Sequence, residues 1–409
     1  MPAPERGAAG PCNFEYQLDF YLERIGSNAP LEQASVRFPL IFGPTCLRRW
    51  PAFLDDIRPL GGAGAWWLRR LGLKGTAADE FRLLREGTIA PIGNLRIKES
   101  VPAKGGAPPR FPRQAVVDRE HGFLEFAADH GAQVGGATGA GGDAPKLVVR
   151  LDERDRVWID PWQDDPACPD RHYLVKFARG ARTARDRTIL RSEYVYYRAL
   201  AALGVDTISV DGMYLEEGEG GPSLWLPRFD VQRRDGIEFR LGVESMYSLL
   251  DAEPAAYLTH QQVLAALRAA LGDASWPSTL LDYLKRDLLN LVFGNSDNHG
   301  RNTALLKTET EMRLAPVYDF APMKMDPEGV TRTTKWDKFE LGGVVDWPAL
   351  LASFGPDEAF LRAGLFDLAS RLRTLPQLLG DLGLPAETLA FPALDLQRPE
   401  PKLRTWGLL

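Results

Sequence analysis

At 409 residues the chain exceeds what one hydrophobic core usually holds, so two or more packed units with clefts between them are expected. Hydrophobic residues at 44% and charged residues at 25% exclude a disordered or collagen-like chain. A net charge of −6 argues against a surface given over as a whole to nucleic acid.

Three scattered cysteines, Cys12, Cys46 and Cys168, match neither a disulfide framework nor zinc spacing, and they fit a reducing cytosol. No uncharged apolar run approaches the roughly 20 residues that span a bilayer, and the start MPAPERGAAGPCNFEY lacks the apolar region of a secretory signal. The expectation is a soluble cytoplasmic protein with no membrane contact.

In chain order, residues 1–12 read as a flexible start. Ala65–Leu73 and Asp79–Glu86 carry apolar residues at helical spacing, with Gly72, Gly75 and Gly87 as stops. Ser100–Gln114, rich in Pro and Gly, reads as an exposed linker that closes an N-terminal subdomain of residues 1–114.

Residues 115–230 then read as a small antiparallel sheet. Lys146–Leu151, Val157–Ile159 and Tyr173–Phe177 are β-prone runs separated by turn-rich segments. Before the first lies VGGATGAGGDAPK (Val134–Lys146), whose five glycines let backbone N–H groups approach phosphates, with Gly139, Gly141, Gly142 and Lys146 as candidate contacts. It does not match the GxxxxGK[ST] pattern, and glycine-rich linkers are commoner than phosphate loops.

Alternation turns Lys176 opposite to Val175 and Phe177, either into a cleft or into water as an edge lysine. A helix over Thr188–Leu203 follows, with Ile189, Tyr196, Leu200 and Leu203 near one face, and it carries Glu193 as a possible partner of Lys176. Ser223–Asp230 reads as a strand, either a plain core strand or a hinge whose backbone receives a base.

Beyond Asp230 the periodic segments are mostly helical: Ser245–Leu250, Gln261–Leu271, Ser278–Phe293, Pro348–Ser353 and Glu358–Leu375. The order predicts an α+β fold with a small β-rich lobe (115–230) and a larger helical lobe (231–409) after the N-terminal subdomain; the two-lobed protein-kinase-like form of it is what the loop motifs and the resemblance below imply.

The helix Ser278–Phe293 ends at Gly294 and delivers NSDNHGRN (Asn295–Asn302) into a polar loop. Asp297 and Asn302 stand five positions apart, the spacing at which a kinase catalytic Asp accepts the substrate proton and an Asn holds Mg²⁺. Asn, Asp, Ser and Gly also make ordinary turns. The hairpin halves Ala304–Leu306 and Arg313–Leu314 follow, and then Val317-Tyr318-Asp319-Phe320-Ala321 supplies Asp319 where a second metal-binding carboxylate belongs. His299 reads as a loop scaffold residue. The run Arg179, Arg182, Arg185, Arg187, Arg191 reads as a solvated surface that can also meet an acidic partner or phosphate.

Taken together, NLVFGNSDNHGRNTALL and LAPVYDFAPM resemble the bacterial HipA family of serine/threonine kinase toxins, whose pattern is N-x-D-x-H-x-x-N followed by L-A-P-x-Y-D. The likeness is strongest over Ser278–Met323. More loosely, GAGGDAPK is similar to the family's G-G-x-x-P-K loop, YLVKF and RSEY to its lysine strand and acidic helix, and PLIFGP with FLDDIRPLG to its N-terminal subdomain.

The resemblance implies Asp297 as catalytic base, Asn302 and Asp319 as Mg²⁺ ligands, and Lys176, paired with Glu193, as the ATP lysine. It also implies a protein substrate such as an aminoacyl-tRNA synthetase, and a helix-turn-helix antitoxin through which DNA is contacted. Where members carry a loop serine that autophosphorylates, this chain has Gly139, with Thr138 as its hydroxyl. The alternatives are a small-molecule or lipid phosphotransferase on the same fold, and a catalytically silent regulator that binds antitoxin and DNA.

Overall fold

The structure is a computed structural model that describes residues 4–130 and 146–409. The glycine-rich loop with Gly139, Gly141 and Gly142 lies outside the described residues, and Lys146 begins the strand that follows it.

The fold mixes helix and sheet. Its largest sheet is antiparallel and six-stranded, in the spatial order Phe111–Pro112, Arg156–Trp158, Lys146–Leu151, Arg171–Phe177, Gly221–Pro227 and Tyr214–Gly218. The strands read as nearly continuous apolar runs because both faces are covered. On the outer face Leu147, Val149, Val175, Phe177 and Trp225 pack under the helices Arg113–Val117 and His121–Asp129. On the inner face Val148, Leu174, Leu224 and Leu226 join the central core, together with the helix Ala184–Ala202. That helix starts at Thr183, whose hydroxyl accepts from Asp186 N while the Asp186 carboxylate accepts from Thr183 N at 2.8 Å, a reciprocal cap.

The rest of the central core is helical. Trp276–Phe293 is its axis and buries Leu280, Leu284, Leu288 and Leu291, with Glu358–Leu372 packed against it. The expected helix Glu358–Leu375 is divided: it stops at Leu372, and a separate helix Leu375–Asp381 starts with Pro376 in its first turn, where the missing N–H costs nothing.

Three expectations are corrected. The start is held in place, since Ala8 N donates to Glu80 at 2.9 Å and Cys12–Phe14 pairs with Thr45–Leu47. Ser100–Gln114 is only partly a linker: Ser100 is buried and donates to Arg85 O at 2.5 Å, while Phe111–Pro112 is an edge strand of the large sheet. Residues 231–245 are strands and not a lead into helix: Val231–Arg234 pairs with Ile237–Arg240, and Gly242–Ser245 adds a third strand to the hairpin of Ala304–Lys307 and Met312–Leu314. These short strands carry too few alternating apolar residues to announce themselves.

The N-terminal region docks on this frame through buried polar contacts. The carboxylate of Asp56, on helix Phe53–Ile57, accepts from Ser245 N at 2.9 Å and Ser245 Oγ at 2.6 Å. The fully buried Arg301 donates to Asp55 O at 3.1 Å.

Candidate active site

Helix Trp276–Phe293 ends because Gly294 takes the left-handed conformation (φ 72°), and Asn295 N closes back on Asn290 O at 2.9 Å. A Cβ at Gly294 would meet Leu394 at 2.2 Å, so the turn has room for glycine alone. The chain that leaves it is tied into a fixed loop. Asn302 Nδ2 donates to Asp297 O at 2.7 Å, Asn302 N to His299 O at 2.9 Å, and Arg301 N to His299 Nδ1 at 3.2 Å. Asn298 clamps the neighbouring segment from both sides: its Nδ2 donates to Thr334 O at 2.6 Å and its Oδ1 accepts from Thr333 N at 3.0 Å.

Among the described residues the loop leaves three groups without hydrogen-bond partners. Asn302 Oδ1 is buried and unbonded, because the amide's nitrogen is spent on the loop. Asp297 has its carboxylate partly exposed and turned to the cleft. His299 Nε2 lies 3.4 Å from Asp297 Oδ1, within ion-pair range but without hydrogen-bond alignment. Burial pushes the Asp297 carboxyl above its ordinary range, against the pull of His299, and burial lowers the His299 imidazole.

Lys176 settles on one side of the edge-or-cleft choice. Its strand is central, between Lys146–Leu151 and Gly221–Pro227, and the side chain is 2% exposed. Its Nζ donates to Glu193 Oε1 at 2.5 Å and to Asp319 Oδ1 at 2.5 Å. Lys146, directly opposite Lys176 in register, donates to Asp319 Oδ2 at 3.2 Å. Burial alone would lower the Lys176 ammonium, but Asp319 and Glu193 hold it well above the usual lysine value; Lys146 is lowered by burial. The same two lysines outweigh burial at Asp319 and hold that carboxylate far below the ordinary range.

Asp319 adopts a left-handed backbone (φ 53°), a conformation that costs a non-glycine residue on the order of 1 kcal/mol or more and that collects at functional sites. Phe320 packs on Tyr196 and Phe293, and Phe320 N donates to Tyr197 Oη at 3.3 Å. Tyr197 Oη in turn donates to Glu193 at 3.0 Å. Tyr197 was not singled out from the sequence, although its place four residues after Glu193 on one helix face is a usable signal. Asn298 carried no such signal, since its partners lie 35 and 36 residues away.

Two clefts meet at these groups. One, of about 550 Å³, is lined by Lys146, Lys176, Arg179, Glu193, Asp297 and Asp319. The other, of about 470 Å³, is largely apolar and is lined by Lys176 and Asp319 together with Leu174, Ile208, Leu226 and Pro227–Asp230. The end of the predicted hinge segment therefore lines the cavity, although the strand itself stops at Pro227. Of the arginine run, Arg179 pairs with Asp326 at 2.8 Å and Arg191 with Glu217 at 2.7 Å, so these two serve surface and loop contacts.

Among the described residues no three His, Cys, Asp or Glu side chains gather as a metal cage. The Asp319 carboxylate held by two lysines, and the unbonded Asn302 amide oxygen, are donors of the chemical type that holds Mg²⁺ with a nucleotide.

The model of the HipA-like C-terminal domain family matches residues 138–370. Toxin YjjJ of Escherichia coli is 24% identical over 301 residues, 68% of this chain and 61% of its own. Putative kinase Y4mE of Sinorhizobium fredii is 29% identical over 136 residues, 31% of each chain. The chain thus spans less than two thirds of the length of these curated relatives. In fold it is similar to HipA of Shewanella oneidensis, solved in complex with HipB and its operator DNA, with a TM-score of 0.63 at 18% identity over 97% of this chain and 92% of that one.

Proposed function

The chain belongs to the HipA-like C-terminal domain family, and from that premise we propose that it is an ATP- and Mg²⁺-dependent serine/threonine protein kinase acting as a toxin. In this reading the six-stranded sheet and the helical remainder are the two lobes of a kinase, with the paired clefts between them. The observation that carries it is the cleft that brings Asp297 and Asp319 together with the Lys176–Glu193 pair, while Asn302 Oδ1 is buried and unbonded in an adjoining pocket that Asp297 also lines.

The base of ATP lies in the apolar cavity and its phosphates reach Lys176 and Lys146, whose charge is already concentrated there by Asp319 and Glu193. Asn302 Oδ1 and Asp319 would hold Mg²⁺, which when bound neutralises phosphate charge. Asp297 accepts the proton of the acceptor hydroxyl while the γ-phosphoryl group passes to that oxygen and ADP departs. A carboxyl pushed up by burial is a better proton acceptor than an ordinary aspartate. His299, whose imidazole is lowered by burial and which accepts at Nδ1 from Arg301 N, presents Nε2 3.4 Å from Asp297 Oδ1 as its neighbour in the loop.

The acceptor is a cellular protein, with translation factors such as an aminoacyl-tRNA synthetase as first candidates. An antitoxin that carries the operator-DNA contact is the proposed partner, by analogy with the complex of the Shewanella protein. The test is calorimetric binding of Mg·ATP by purified protein, followed by γ-phosphate transfer to proteins of a cell lysate. Failure to bind Mg·ATP would sink the kinase reading, and transfer only to small molecules or lipids would move the acceptor to another class.

A further inference from the structure

The apolar cavity has a wall that comes from outside the sheet and the helical region. Ile92 lines it together with Leu226, Phe229 and Val243. Among the described residues before Phe111, Val36 and Ile92 are the apolar side chains that join the central core cluster, while Trp50, Ile57, Leu84, Trp67 and Leu83 belong to clusters of the N-terminal region itself.

Ile92 is held there by a built turn. The buried guanidinium of Arg96 donates from Nη1 to Pro91 O at 3.2 Å, Gly93 O at 3.2 Å and Leu95 O at 2.6 Å, which fixes residues 91–95 as one rigid loop. Gly93 N then donates to Asp230 Oδ2 at 2.7 Å, and Asp230 is locked by Arg228 Nε at 2.9 Å and closed by Leu241 N on its carbonyl at 2.8 Å. Gly93 has φ 87°, and a Cβ there would stand 3.3 Å from Val243 N, so the close approach needs glycine. Arg228, Phe229 and Asp230 all line the cavity themselves. The turn and the cavity wall are therefore one hydrogen-bonded unit.

We infer that Ile92 is a binding residue for the nucleotide base: it covers one face of a planar heterocycle in the apolar cavity, and the Gly93–Asp230 bond positions it. The inference rests on the kinase reading of the same site and deepens it, because it makes the N-terminal region a working part of the nucleotide pocket. The polar cleft that holds Lys146, Arg179 and Asp297 beside Lys176 and Asp319 is not lined by Ile92.

That division supplies the test. Binding of ATP and of tripolyphosphate, which has the phosphates without the base, is measured by calorimetry with Mg²⁺ for wild type, Ile92→Ala and Ile92→Trp, each checked for an unchanged melting profile. Removing the outer carbons of Ile92 from the base should weaken ATP roughly five- to thirtyfold. Ile92→Trp should fill the cavity and abolish ATP binding. Both variants should hold tripolyphosphate as wild type does, whereas Lys176→Met should lose both probes. Wild type that binds ATP, with the two Ile92 variants unchanged, overturns the role of Ile92 and leaves the kinase reading standing. Wild type that binds neither probe overturns both.

Discussion

Lys176 Nζ lies 2.5 Å from Asp319 Oδ1 and 2.5 Å from Glu193 Oε1, so one ammonium joins the central strand, the helix behind it and the turn after the hairpin. Lys176→Met leaves two carboxylates facing each other in a buried site. It should destabilise the protein by about 3–5 kcal/mol in chemical denaturation and abolish Mg·ATP binding. Glu193→Gln keeps a hydrogen-bond acceptor and should cost less stability than Lys176→Met; equal losses would contradict the role given to the lysine.

In the proposed mechanism Asp297→Asn removes the proton acceptor without removing packing. Turnover should fall by roughly 10²–10⁴, while the thermal melt stays at or slightly above the wild-type value, since burial disfavours the charge at this position. The acid limb of the wild-type rate profile should lie above the ordinary carboxylate range of about 3.9, because only the ionised form accepts the proton and its pKa is raised. A limb at or below that value would count against Asp297 as the base.

Asp56 is buried beneath the loop, and burial lifts its carboxyl to about 6, against the lowering pull of Arg301 and Ser245. An acid with a raised pKa in the folded state favours folding most when protonated. Its contribution is thus full below about pH 4 and is lost as pH rises through about 6. Relative to Asp56→Asn, wild type should lose about 3 kcal/mol of stability between pH 4 and pH 7, measured by urea unfolding at each pH. A pH-independent difference between the two proteins would show that Asp56 is already ionised across this range.

Gly294→Ala forces a Cβ into Leu394 as well as into a left-handed backbone. The backbone term alone is about 1–2 kcal/mol, and Leu394→Ala, which empties a fully buried site, should cost about 2–5 kcal/mol. The double variant should lose less than the sum of the two, because the smaller side chain relieves the overlap. Strict additivity in a denaturation cycle would mean that the contact is not what restricts the turn.

The local parts of this site were legible in the chain. Alternation put Lys176 and Leu174 on one face, the helical period carried Leu280 to Leu291 into the core, and the five-residue interval between Asp297 and Asn302 survives as a hydrogen bond from one side chain to the other's carbonyl. What the sequence did not disclose is pairing at a distance. Gly93 and Asp230 are 137 residues apart, and Ser245 and Asp56 are 189 apart, and nothing in either local pattern names its partner. The strands of 231–245 were missed for a related reason: they are short and polar, and pairing across the chain makes them strands. Asn298 was read as one more loop residue because its clamp on Thr333 and Thr334 depends on where a later segment returns.

Leu394 fills the space above Gly294 and is fully buried, yet it belongs to the last stretch of the chain, after every residue of the candidate site. During synthesis the loop from Asn295 to Asn302 therefore emerges about a hundred residues before the side chain that braces it. A nascent chain that already displays Lys176, Asp297 and Asp319 still lacks that brace until translation has passed Leu394.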